Sequence, residues 1–130
     1  MEPAWGGRTA GTPGQRMLAS TTYFLRDVAN GGLEQALWNF DPADVNLVLE
    51  SFDKLGATEQ AATVRTAIKL LLGKSPPASL EQRRALIDNY SRQWLDKNIE
   101  PLNKQLYEEE RMWSYYRQYV EQHPSEFFLD

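Results

Sequence analysis

The chain has 130 residues, 42% of them apolar and 25% charged, with no cysteine, one histidine and a formal net charge of −4. That length suits one domain, burying about two thirds of its unfolded surface without a metal or disulfide staple. The absence of cysteine excludes disulfides, thiolate metal sites and a cysteine nucleophile, and His123 alone cannot make a histidine-rich metal site. Residues 1–14 lack a basic segment followed by an apolar run, and the longest aliphatic stretch, Leu70-Leu71-Leu72, falls far short of the about 18 residues of a membrane span. The expectation is a cytoplasmic protein with no membrane partner.

Residues 1–14 contain four glycines and two prolines and read as a mobile tail, with one domain over 15–130. From Gln15 onward apolar residues recur at spacings of three and four, and no stretch shows the alternation of a strand, so the domain is expected to be all-α. A first helix over 15–29 places Met17, Leu18, Thr21, Phe24, Leu25 and Val28 on one face and ends at Asn30-Gly31-Gly32. A short helix from Leu33 to Trp38 follows. Asp41-Pro42-Ala43-Asp44 then starts a third, with Asp41 as cap, running to Leu55 with Val45, Val48, Leu49, Phe52 and Leu55 inward and Gly56 as the stop. Thr58 is expected to cap a fourth, whose inner stripe is Ala61, Val64, Ile68 and Leu71. Ser79 caps a fifth that carries Leu86, Ile87, Tyr90 and Trp94 and reaches Leu95. Pro101 opens a last helix to Gln122. Six helices with short connections suit an antiparallel bundle.

Charge is unevenly spread. Residues 27–53 contain Asp27, Glu34, Asp41, Asp44, Glu50 and Asp53 and no lysine or arginine. On helical angles Glu50 and Asp53 face water while Asp44 flanks the core and suits the positive end of its helix. Such a patch would attract a basic nucleic-acid-binding surface, and the absence of a basic stripe with interleaved aromatics argues against direct binding of DNA or RNA.

The segment Asn30-Gly31-Gly32-Leu33-Glu34-Gln35-Ala36-Leu37-Trp38-Asn39 joins two glycines, which permit a close turn, to amides at Asn30, Gln35 and Asn39 able to satisfy exposed helix-end groups. Its first role is structural, and a positive φ at Gly31 would make Gly31→Val destabilising. In Asn30, Gly31, Gly32, Gln35 and Asn39 the chain resembles a family of small bacterial all-α proteins named for a DNA mimic. The resemblance extends to Tyr23 and Asp27 before the motif, to the Gly56-Ala57 hairpin and to Tyr119-Val120, over about residues 20–123. Leu33 and Ala36 depart from the aromatics usual there. The resemblance implies an acidic protein, a homodimer as one form of assembly, and a DNA mimic that occupies the DNA-binding face of a helix-turn-helix regulator.

In the last helix, Leu102, Leu106, Trp113, Tyr116 and Val120 form one stripe, while Met112, Tyr115 and Tyr119 form a second beside it. With Trp113, the second stripe is a candidate aromatic interface; otherwise it packs in the core with Phe127-Phe128-Leu129 folded over it. No catalytic motif, cofactor-binding loop or metal-ligand spacing is present, and the one route to chemistry is a carboxylate pair, Asp27 and Glu34, across the Gly-Gly turn. The chain therefore reads as a non-enzymatic inhibitor of a basic nucleic-acid-binding protein. The alternative is an immunity or antitoxin-like protein that neutralises a toxin or effector.

Overall fold

The computed structural model describes residues 11–106 and 109–127. Helix α1 spans Pro13–Asn39, and it begins where the sequence suggested a tail. Thr12 is its cap: the Thr12 hydroxyl accepts from the Gln15 N–H, the Gln15 side chain accepts from the Thr12 N–H at 3.0 Å, and Pro13 has the φ of a first helical residue. Gly14 is buried, so residues 12–14 correct the boundary of the expected tail; residues 1–10 lie outside the described residues.

Near its end α1 breaks at Gly32, whose φ of 84° and ψ of 174° separate a long first part from a short second part. These parts correspond to the expected first two helices. Helix α2 (Pro42–Lys54) starts at the expected cap, with Asp41 accepting from the Asp44 N–H at 2.8 Å, and Gly56 turns the chain with φ 84°. Helix α3 (Thr58–Leu72) has Ala57 as its N-cap and no side-chain cap bond, so Thr58 is its first residue, not its cap. The single fifth helix of the sequence reading is two elements. Helix α4 (Leu80–Asp88) is capped by Ser79, and α5 (Arg92–Asn98) by Ser91, whose hydroxyl accepts from the Trp94 N–H at 3.0 Å. A new cap within the apolar run ends one helix and starts another, and Leu86 is 38% exposed. Helices α6 (Glu100–Leu106) and α7 (Glu109–Gln122) stand on either side of residues 107 and 108, so the continuity of the expected last helix falls outside the described residues. A 3₁₀ turn, η1 (Pro124–Glu126), follows.

The described residues form seven α-helices and no strand, in one domain. None of the helices is long and apolar enough to cross a membrane. Helix α1 packs against α2, α3, α4, α6, α7 and η1, and this central position follows from its sequence. Phe24, Val28, Leu33, Ala36 and Leu37 are all buried on it, facing Val45, Val48 and Phe52 of α2 and Ala61, Val64, Ala67 and Leu71 of α3. Burying each of the larger of these side chains contributes about 1.5–3 kcal/mol before conformational entropy is counted. Ile87, Leu95, Ile99, Leu106 and Met112 close the core from the other side.

Helix α7 lies antiparallel to α1, because Tyr116 meets Thr21 while Glu126 reaches Gly14. The Tyr116 and Thr21 hydroxyls share a hydrogen bond of 2.7 Å. Burial holds the Tyr116 hydroxyl above the ordinary tyrosine range, although its hydrogen bonds act in the opposite direction. The folded state therefore binds this proton more tightly than the unfolded chain, so the associated stability is complete below about pH 10, the ordinary tyrosine value, and is lost as pH rises further. Urea-unfolding midpoints should be level in mild alkali and fall above about pH 10, and Tyr116→Phe should flatten that fall.

Candidate functional site

The Gly31-Gly32 turn joins Asp27, Glu34, Gln35, Asn39, Asn103 and Arg92 in side-chain hydrogen bonds, and Gly32 is its origin. Of the two glycines only Gly32 has a positive φ, which corrects the expectation placed on Gly31. A helix that stops and restarts leaves new end groups to satisfy. The Leu33 N–H donates to Asn103 Oδ1 at 2.8 Å, so the second part of α1 is capped by a side chain from α6 that is itself 1% exposed. Asn103 Nδ2 in turn donates to Glu100 Oε2 at 3.0 Å. A Cβ at Gly32 would collide with the Glu34 carboxylate and stand 2.7 Å from Asn103 Nδ2; glycine is required there by both conformation and space.

The two flanking carboxylates answer to different partners. Asp27 accepts from Gln35 Nε2 at 2.8 Å on one oxygen and from Asn39 Nδ2 at 3.0 Å on the other, so two amides of the motif clamp an acid that precedes the turn. Gln35 also fills the space where Gly31 would carry a side chain. Glu34 is 7% exposed and accepts from Arg92 Nη2 at 2.9 Å through Oε2, while its Oε1 is buried without a hydrogen-bond partner. Arg92 also donates through Nε to Asp96 at 2.9 Å, and these two carboxylates hold its guanidinium charge above the ordinary arginine range. Asp27 and Glu34 thus serve as separate anchors on the two sides of the break rather than as a reacting pair. Asn30 is exposed at the end of the first part of α1.

The six acids proposed as one patch are dispersed. Glu34 and Asp44 are buried, at 7% and 4% exposure, which corrects their assignment as surface contacts. Asp44 lies in the first turn of α2, where the positive end of the helix dipole favours a carboxylate. Asp27 and Asp41 are half-buried, the one clamped and the other capping. Glu50 and Asp53 are the two exposed members, one turn apart on α2, and Asp53 pairs with Arg65 at 2.7 Å.

The candidate aromatic interface divides in the same way. Met112 is 3% exposed and belongs to the core, and Tyr115 packs half-buried against it, whereas Trp113 is 66% exposed and leaves the core stripe in which it was also placed. Tyr119 stacks on His123 at 4.1 Å and donates to Glu126 Oε2 at 3.0 Å. Phe127 folds back edge-on to Tyr119, while Phe128 and Leu129 lie outside the described residues. Among the described residues no group of three or more acids or histidines is arranged to hold a metal ion.

Asn103 and Arg92 went unnoticed in the sequence, although both organise the turn. Asn103 had one signal: it is a polar residue on the stripe that runs from Ile99 to Leu106, all three buried.

The family model of DMP19-like proteins matches residues 9–123, and the chain belongs to that family. This corrects the assignment drawn from the Asn-Gly-Gly signature, because the matching family is a different one from the DNA-mimic-protein family named there. No curated protein and no solved structure matches the chain.

Substitutions at the turn should separate its parts. Gly32→Ala should cost at least about 2 kcal/mol, since it combines a disfavoured backbone with a collision, and Gly31→Ala should cost less because only the Gln35 side chain must move. Asn103→Ala should cost about 1–3 kcal/mol by leaving the Leu33 N–H buried and unpaired. Chemical denaturation of the three variants checks the order, and equal effects of the two glycine substitutions would contradict the assignment of the break to Gly32.

Proposed function

We propose that this member of the DMP19-like family is a non-enzymatic binding protein that meets the nucleic-acid-binding face of a basic protein partner in the cytoplasm, in the manner of a DNA mimic. DMP19 is itself a DNA mimic protein, and the family relationship supports carrying that role to this chain. The observation that carries the reading is the charge asymmetry of residues 27–53, which hold six acids and no base and leave Glu50 and Asp53 in water on α2. Side chains three apart on a helix stand about 5–6 Å from each other at Cβ, a scale comparable to neighbouring phosphates. Asp27 and Asp41 are half-buried and engaged by Gln35, Asn39 and the Asp44 N–H, and Glu34 and Asp44 act inside the fold.

Exposed carboxylates act mainly by steering a basic partner into place, and salt screens that attraction. Because Arg65 offsets Asp53, Glu50 is the contact on which the interaction leans most heavily. Trp113 favours the second reading, an immunity-like protein that plugs a toxin or effector, since an exposed tryptophan is a strong apolar anchor.

The test is capture by tagged protein from a lysate of its own organism at low and high salt, comparing the native chain with a Glu50→Lys, Asp53→Lys double variant. A nucleic-acid-binding protein retained at low salt, released at high salt, displaced by DNA and lost with the double variant is the expected result. A toxin or effector held at high salt and lost with Trp113→Ala would overturn it in favour of the second reading, as would retention indifferent to the two charge reversals.

A further inference from the structure

The segment 123–127 is attached to the start of α1 in an unusual way: none of the residues of η1 is buried, yet the segment makes several directed bonds. Glu126 Oε1 accepts from the Gly14 N–H at 2.6 Å, Glu126 Oε2 accepts from the Tyr119 hydroxyl at 3.0 Å, and the Thr12 hydroxyl donates to the Glu126 carbonyl at 2.8 Å. The Phe127 ring lies over Gly14, with Cζ 2.7 Å from the point a Cβ would occupy, and meets Tyr119 edge-on at 6.0 Å. One carboxylate therefore ties together the first turn of α1, the last turn of α7 and η1.

We propose that residues 123–127 form a releasable strap, docked across α1 and α7 by Glu126 and able to open as a unit while the core stays folded. A segment that buries little is held by its hydrogen bonds, and such segments open locally at a free energy below that of global unfolding. The two bonds to the Glu126 carboxylate are charge-assisted, and one of them lies at a helix N-terminus, where the macrodipole adds to the attraction. Release exposes the Gly14 backbone and the faces of Tyr119 and Phe127 together, because the same side chains cover one another. Phe24, Val28, Val48 and Val64 belong to the buried core, of which Glu126 and Phe127 are not part.

Residue-resolved hydrogen exchange by NMR on the full chain tests the strap. In the native protein the amides of Gly14, Glu126 and Phe127 should exchange with one common protection, lower than that of Val28 and Val64. Glu126→Gln should raise all three rates by about tenfold or more, with the core rates unchanged, since hydrogen bonds to a charged group are the stronger kind. Phe127→Ala leaves the carboxylate in place and should give the same joint increase. Faster exchange at Gly14 alone would reduce Glu126 to a local cap and overturn the proposal, and so would an equal increase at Val28 and Val64.

Discussion

The structure depends on how one helix is interrupted. A continuous α1 from Pro13 to Asn39 would run about 40 Å by helical rise, too long for a domain of this size to cover, and would carry its second apolar stretch away from the core. Gly32 bends it, and the bend holds because Asn103 takes up the Leu33 N–H that the bend sets free. Leu33, Ala36 and Leu37 then bury themselves beside Phe24 and Val28, although they belong to the other part of the helix. The remaining polar contacts at the turn brace the two parts against each other: Asp27 is joined to Gln35 and Asn39, and Glu34 to Arg92.

That organisation distinguishes acids that build from acids that meet solvent. Sequence position groups Asp27, Glu34, Asp41, Asp44, Glu50 and Asp53 together, whereas burial and bonding divide them into a clamp, a buried anchor, a cap, a dipole partner and an exposed pair. The acidity of the segment is thus partly a requirement of one helix start and one helix break. The exposed portion is small, and it lies on α2, a helix whose other face is fixed in the core by Val45, Val48 and Phe52. Carboxylates on such a rigid support lose little freedom on meeting a partner.

Much of the fold was legible because it rests on local rules. The Asp41-Pro42 start, the Gly56 stop and the Ser79 cap each depend on one residue and its immediate neighbours. The start at Thr12 obeyed the same rule, since Thr12-Pro13-Gly14-Gln15 is a capping box, and the surrounding glycines and prolines obscured it. The division of the fifth helix at Ser91 was also local, but Tyr90 and Trp94 continued the apolar spacing and outweighed it. What could not be read is long-range: the burial of Glu34 by Arg92 and the exposure of Trp113 depend on where α5 and α7 dock, and no spacing within the chain encodes that. In the site, the amides of Gln35 and Asn39 were expected to satisfy helix ends, whereas both donate to Asp27, which the sequence reading had placed in the acidic patch.

The bond between Leu33 and Asn103 joins residues 70 positions apart, so the turn is completed by a contact far away in the chain. During synthesis the first part of α1, α2 and α3 can pack on one another long before residue 103 leaves the ribosome. The Leu33 N–H gains its Asn103 partner only once α6 has been made. Contacts across so long a loop are slow to form because closure entropy precedes the gain. The locking of the turn therefore follows the synthesis of α6, and the docking of Tyr116 on Thr21 and of Glu126 on Gly14 spans longer separations still, of 95 and 112 residues.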